Sequence, residues 1–240
     1  MKTRRQFLGS TAAGLTLLAL TPASRPASAQ AREKIGMIGA GRMGSGLGTL
    51  FVKAGHPVMF SSRHPENLKD LTARLGSLAQ AGTVEQAVAF GDVIVLVVPY
   101  PALEEIGKAH AGALAKKALV LDVANPIGRR DGEDFVKRVN EQGGPGLVTA
   151  KLLPGAPIVR AFNAIGASRL GADRGSERVG VPIAGEDPKA IALAEKLIRE
   201  IGFEPVLVGG LAMGKHLVPG TPLAGERSPE EIRKIASGLR

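Results

Sequence analysis

Lys34-Ile35-Gly36-Met37-Ile38 runs into Gly39-Ala40-Gly41-Arg42-Met43-Gly44, an apolar stretch that opens into three glycines at fixed spacing. A strand, a glycine turn and then a helix is the fingerprint of a βαβ unit that holds a dinucleotide. Each glycine has its own task in such a unit. Gly39 permits the tight turn, Gly41 lets the backbone approach a pyrophosphate, and Gly44 lets the helix pack close to the strand. The pyrophosphate is expected on the amides of the helix N-terminus, around Arg42 and Met43. The helix is predicted over 43–54, with Gly55 as its stop and 56–60 as the second strand.

The residues that follow a second strand of this kind inspect the adenosine ribose. Asp or Glu there accepts hydrogen bonds from the ribose 2′-hydroxyl of NAD. This chain has Ser61-Ser62-Arg63 instead. A carboxylate would repel a 2′-phosphate, whereas the Arg63 guanidinium can grip one and the Ser61 and Ser62 hydroxyls can donate to its oxygens. The reading is therefore NADP(H). His64 follows directly, either touching adenine or phosphate or standing as an exposed loop histidine.

Further along, helices are predicted over 65–75 and, capped by Thr83, through Phe90, with a short extra strand at Leu78-Ala79. The continuous apolar run 92–98 reads as a strand buried on both faces, and 118–123 reads as a further strand. Helices are predicted over 102–116 and 133–142, the latter followed by a glycine-rich loop. Strands at 157–163, 179–184 and 203–208 and a helix over 188–201 continue the alternation. Pro229 to Leu239 reads as a charged terminal helix. The fold class predicted is α/β: one doubly wound parallel sheet, a Rossmann domain over 30–222, with a short C-terminal appendage over 223–240.

In such a sheet the ligand crosses the carboxyl ends of the strands. That rule selects Gly39 to Gly44, Ser61 to His64, Val98-Pro99-Tyr100, Asn125-Pro126 and Ala161-Phe162-Asn163. Pro99 and Tyr100 are expected at the nicotinamide ribose. Asn125 is expected on the ribose or the carboxamide, and Phe162-Asn163 near the nicotinamide ring. For Pro99 and Pro126, a plain strand-end turn is an equal reading.

The N-terminus carries different signals. Thr3-Arg4-Arg5-Gln6-Phe7-Leu8 matches a twin-arginine export motif, an apolar segment follows to Leu20, and Ala27-Ser28-Ala29 reads as a cleavage site. Residues 1–29 are thus expected to be a signal peptide read by the twin-arginine export machinery, with a periplasmic or exported destination. An uncleaved segment anchoring the chain in the membrane is the alternative. The net charge is +9, of which Lys2, Arg4, Arg5 and Arg25 carry four. The remainder suits an anionic cofactor and does not demand nucleic acid. Aromatics are 3% of residues, so base-stacking platforms are not expected. There is no cysteine, which excludes disulfides, thiolate metal sites and cysteine nucleophiles. His56, His64, His110 and His216 show no metal-ligand spacing, so no metal site is expected.

Together these segments resemble the family of NADP oxidoreductases dependent on the deazaflavin coenzyme F420. The resemblance rests on Ile38 to Gly44, Ser61-Ser62-Arg63, Val97-Val98-Pro99-Tyr100 and Asp122-Val123-Ala124-Asn125-Pro126. It extends to Val159 to Ala164, Val181 to Pro188, Gly202 to Val206 and Gly209-Gly210-Leu211. The oxidoreductase domain of six-transmembrane metalloreductases is similar as well. The resemblance implies hydride transfer between NADPH and a flat flavin or deazaflavin ring, with positioning rather than acid–base catalysis. The implied roles are all binding roles, and no catalytic residue is named. Gly39 to Gly44 hold the pyrophosphate and Ser62 and Arg63 the 2′-phosphate. Pro99, Tyr100, Asn125, Ala161 and Phe162 hold the nicotinamide end. By family analogy the last strand and tail pair with a second copy.

Three other classes of protein share parts of this pattern. A non-catalytic NADP(H)-binding sensor or interaction protein shares every binding feature. Pyrroline-carboxylate reductases and β-hydroxyacid dehydrogenases begin similarly but continue into a large all-helical domain, whereas strands are still predicted after Asn163.

Overall fold

A computed structural model describes residues 32–172 and 178–239. The twin-arginine motif, the apolar segment after it and the small-residue site all lie outside the described residues. Among the described residues, no helix is long and apolar enough to cross a membrane.

The apolar runs become the strands β1 (Ile35–Ile38), β4 (Val93–Leu96) and β5 (Leu119–Asp122), in which every residue is buried. A strand can be apolar on both sides only if helices cover both faces. Between them lie α1 (Arg42–Lys53), β2 (Val58–Ser61), α2 (Lys69–Leu75), β3 (Ala79–Gly82), α3 (Val84–Phe90) and α4 (Ala102–Leu114). Thr83 caps α3 as expected: its side chain accepts from the Gln86 amide, and the Gln86 side chain accepts from the Thr83 amide. The eight-stranded sheet has the order β3-β2-β1-β4-β5-β6-β7-β8, with β6 at Ile158–Arg160, β7 at Gly180–Gly185 and β8 at Glu204–Gly209. The order reverses between β1 and β4, which is where such sheets take their ligands.

Two features depart from the sequence reading. Strands β3 to β6 run parallel through β2, β1, β4 and β5, but β7 pairs with β6 antiparallel, and β8 follows β7. A parallel return needs a long crossover, normally a helix. Between β6 and β7 the described residues form only the three-residue 3₁₀ turn Ala167–Arg169. The second departure lies beyond α5 (Gly128–Asp131) and α6 (Glu133–Glu141), where the expected glycine-rich loop contains a helix, α7 (Pro145–Leu152). Gly144 turns with φ 92°, and Pro145 starts the helix at a position whose amide would have no partner anyway.

The core lies on both faces of the sheet. Leu47 and Phe51 of α1 and Leu197 and Ile198 of α8 (Pro188–Glu200) pack on one face. Leu103, Ile106 and Leu114 of α4 and Val148 of α7 pack on the other. The terminal helix α9 (Pro229–Ser237), capped by Ser228 and Glu231, seats Ile232 and Ala236 against Val206 and Val208 of β8.

Candidate dinucleotide cleft

The carboxyl ends of β1, β2, β4, β5 and β6 open onto one cleft in two parts. A cavity of about 600 Å³ lies on the β2 side and one of about 480 Å³ on the β5–β6 side, and both are lined by Gly41, Val97, Val98 and Pro99. The glycine turn therefore forms the saddle between them. A dinucleotide has two such halves joined by a pyrophosphate.

The three glycines separate by what surrounds them. Gly39 has φ +100°, and a Cβ there would lie 2.3 Å from the Val97 carbonyl oxygen. A Cβ on Gly44 would lie 1.9 Å from the Gly39 carbonyl oxygen, so helix and turn touch through backbone. Gly41 is different: its φ of −68° suits any residue, and an added Cβ meets nothing within 4 Å. No packing demand of the fold explains a glycine there, whereas a cradle for a ligand does. Helix α1 has no acid in its first turn, so the partial positive charge of its amides is left uncompensated beside Arg42, which lines the β5–β6 cavity with Met43. Ala40 lines the β2 side.

At the end of β2, Arg63 is exposed, lines the cavity and has no partner among the described residues. Ser62 lines it too, and its Oγ accepts from the His64 amide at 3.1 Å, which leaves the hydroxyl proton free to donate. Ser61 lines the cavity as expected, but its hydroxyl is not free to donate to a phosphate. It is fully buried and its hydroxyl donates to the Met37 carbonyl oxygen at 3.0 Å, tying β2 to β1. His64 lies 3.1 Å from Glu66, both exposed. One acid, Glu105 of α4, lines the same cavity.

On the β5–β6 side, Val98, Pro99, Asn125, Phe162 and Asn163 line the cavity as the sequence suggests. Asn125 donates one N–H to the Asn163 carbonyl oxygen at 2.8 Å and keeps the other. Asn163 is buried, its amide nitrogen donating to the carbonyl oxygens of Asp122 and Ala124. Phe162 has φ 61°, uncommon outside glycine, and its ring meets Phe203 edge-on at 5.4 Å. Pro126 and Ala161 are buried and do not line the cavity.

Tyr100 does not reach the nicotinamide end where the sequence places it. Its side chain points away from the cleft into the core beside α7, where the hydroxyl donates to the Pro145 carbonyl oxygen at 2.6 Å and lies 3.1 Å from Thr149 Oγ1. Burial pushes its phenol far above the ordinary value, and the nearby Asp122 charge adds to the shift.

Two arginines escaped the sequence reading. Arg160 is fully buried and donates to Asp122 Oδ2 at 2.5 Å and to Asn125 Oδ1 at 3.2 Å. Thr149 and the Ala124 amide also donate to the Asp122 carboxylate, each at 2.9 Å. The parallel register sets Asp122 beside Arg160, so two opposite charges, each ending an apolar strand, were the available signal. Arg130, from α5, lines the β5–β6 cavity. Among the described residues no cluster of His, Cys, Asp and Glu could hold a metal.

Residues 34–126 match the family described as NADP oxidoreductase, coenzyme F420-dependent. The matched span is 93 of the chain's 240 residues. It contains β1 to β5, the glycine saddle, Ser62, Arg63 and Asn125. An F420-dependent NADP reductase of Methanothermobacter thermautotrophicus is 27% identical over 202 residues, which cover 79% of this chain and 87% of that protein. Metalloreductase STEAP3 of Rattus norvegicus is 31% identical over 187 residues, covering 77% of this chain. The match spans only 35% of the metalloreductase's own length. Among solved structures, a hypothetical protein of Sinorhizobium meliloti has a TM-score of 0.67 at 28% identity, covering 82% of this chain and 95% of that one.

Proposed function

We propose that this chain is an NADP(H)-dependent oxidoreductase that moves hydride between the nicotinamide and a flavin or deazaflavin acceptor. The observation that carries the reading is at the end of β2, where Ser62 and unpartnered Arg63 face the cavity that adjoins Gly39–Gly41. The strand end where an NAD enzyme places a carboxylate has none here. Arg63 and Ser62 hold the 2′-phosphate, and the Gly39–Gly44 turn with Arg42 holds the pyrophosphate. The free N–H of Asn125 orients the nicotinamide end, with Val98, Pro99 and Phe162 walling it. When bound, the nicotinamide supplies the hydride chemistry. The protein's part is to hold two flat rings face to face, and orientation of this kind can lower a barrier by several kcal/mol. The match of residues 34–126 to an NADP oxidoreductase family supports the reading.

The test is an acceptor panel. Purified protein is mixed with NADPH or NADH and with FMN, FAD, coenzyme F420 or a ferric chelate, and absorbance of the reduced nicotinamide is followed. Steady loss of NADPH with at least one flavin-type acceptor is expected, with slower loss of NADH. Tight NADPH binding without turnover on any acceptor would instead make the chain a sensor.

A further inference from the structure

The β5–β6 cavity is lined by two cations, Arg42 and Arg130, and by no Asp or Glu. Arg42 sits in the first turn of α1, beside the glycine saddle, where the proposed function uses it for the pyrophosphate. Arg130 is left over. It lines the same cavity and is hydrogen-bonded to Asn125, which the proposed function sets at the nicotinamide end.

The fixing of Arg130 shows what it can still do. Its Nε donates to Asp131 Oδ1 at 2.7 Å, and its Nη2 donates to Asp131 Oδ2 at 2.8 Å and to the Asn125 carbonyl oxygen at 2.6 Å. A guanidinium has five N–H donors in a rigid fork. Three are used, and both donors on Nη1 have no partner among the described residues. Asp131 is almost completely buried, and its Oδ2 accepts from the Ile127 amide at 2.9 Å. Burial pushes its carboxyl up, but the hydrogen bonds from Arg130 and Ile127 prevail and hold it below the ordinary value. Asp131 thus grips Arg130 from outside the cavity lining and balances its charge there. A free surface arginine would spread over many rotamers. This one is locked against the Asn125 backbone with one edge open, the preorganisation that recognises an oxyanion.

We propose that the electron acceptor is anionic, bearing a phosphate or carboxylate, and that Arg130 receives that group through Nη1. This rests on the reading of the cleft as an NADP(H) and acceptor site. It narrows the acceptor to a ring with a charged tail and assigns a binding residue outside the family-matched span.

The test titrates NADP⁺-loaded protein with FMN and with riboflavin, which share a ring and differ in the terminal phosphate. FMN is expected to bind about tenfold tighter, the scale of one charge-assisted hydrogen-bonding group. Arg130→Gln should bring FMN down to the riboflavin value and leave NADP⁺ affinity unchanged. Arg130→Lys should keep most of the FMN preference, because it keeps the charge. Equal binding of both flavins by the unaltered protein, or binding of neither, would overturn the proposal. So would an FMN preference that survives Arg130→Gln. If Lys fails as badly as Gln, the residue serves only its hydrogen bond to Asn125, and if NADP⁺ affinity falls with FMN affinity, it serves the dinucleotide. Failure of the unaltered protein to take up NADP⁺ sinks the parent reading, whereas normal NADP⁺ uptake without flavin discrimination sinks only this inference.

Discussion

Arg160 and Asp122 meet at 2.5 Å with both side chains wholly removed from water, one at the end of β6 and the other at the end of β5. Desolvating two charges is costly, and further hydrogen bonds to both side chains help to offset it. Thr149, the Ala124 amide and Asn125 supply those bonds. The pair fixes Asn125 from below and so links a core interaction to the floor of the cleft.

Removing one partner should therefore cost more than removing both. Arg160→Met leaves a buried carboxylate alone and is expected to destabilise the fold by about 3–5 kcal/mol in urea unfolding. Combining it with Asp122→Asn should recover part of that loss. Additive losses in the double variant would show that the two charges do not depend on each other.

The glycine saddle yields a contrast between two substitutions. Gly44→Ala forces a methyl group onto the Gly39 carbonyl, and overpacking of this kind costs about 1–3 kcal/mol. Thermal unfolding should register it. At Gly41 an added Cβ meets no protein atom and the backbone is an allowed one, so in Gly41→Val the melting temperature should hold while NADPH affinity falls at least about tenfold. A Gly41→Val protein that melts early and still binds NADPH would reverse the two assignments.

Tyr100 is the chain's only tyrosine, and there is no tryptophan, so its phenolate absorbance can be read without interference. The folded phenol titrates above the unfolded value of about 10, so the native state holds the proton longer. Between those two values the unfolded chain binds fewer protons, and stability must fall as pH rises through and above about 10. Phenolate absorbance should then appear together with loss of helical circular dichroism. Ionisation while the fold is intact would contradict the buried placement.

The helices, strands and glycine turn were legible because each has a local cause. Apolar runs mark β1, β4 and β5, Thr83 marks the start of α3, and Gly39 and Gly44 stand at the spacing of a βαβ glycine turn. What was not legible depends on distant neighbours. Tyr100 sits between two prolines at a strand end and reads as a cleft residue. Its fate is decided by α7, which supplies the Pro145 carbonyl and Thr149, and the sequence reading had a loop there. The Ser61 hydroxyl is taken by Met37, its near neighbour in the paired strand β1. Arg160 acquires meaning only through its register with Asp122, and Arg130 only through the fork that Asp131 makes. The reversal at β7 goes with a connection whose described residues form no crossover helix, which becomes visible only once β6 is placed.

The decisive measurement is calorimetric titration of the unaltered protein and of Arg63→Asp with NADPH and with NADH. If the β2-side cavity receives a 2′-phosphate, the unaltered protein binds NADPH at least about tenfold tighter than NADH, and Arg63→Asp erases that difference by weakening NADPH alone. Equal affinity for the two nucleotides in the unaltered protein, or equal loss of both in the variant, would contradict it.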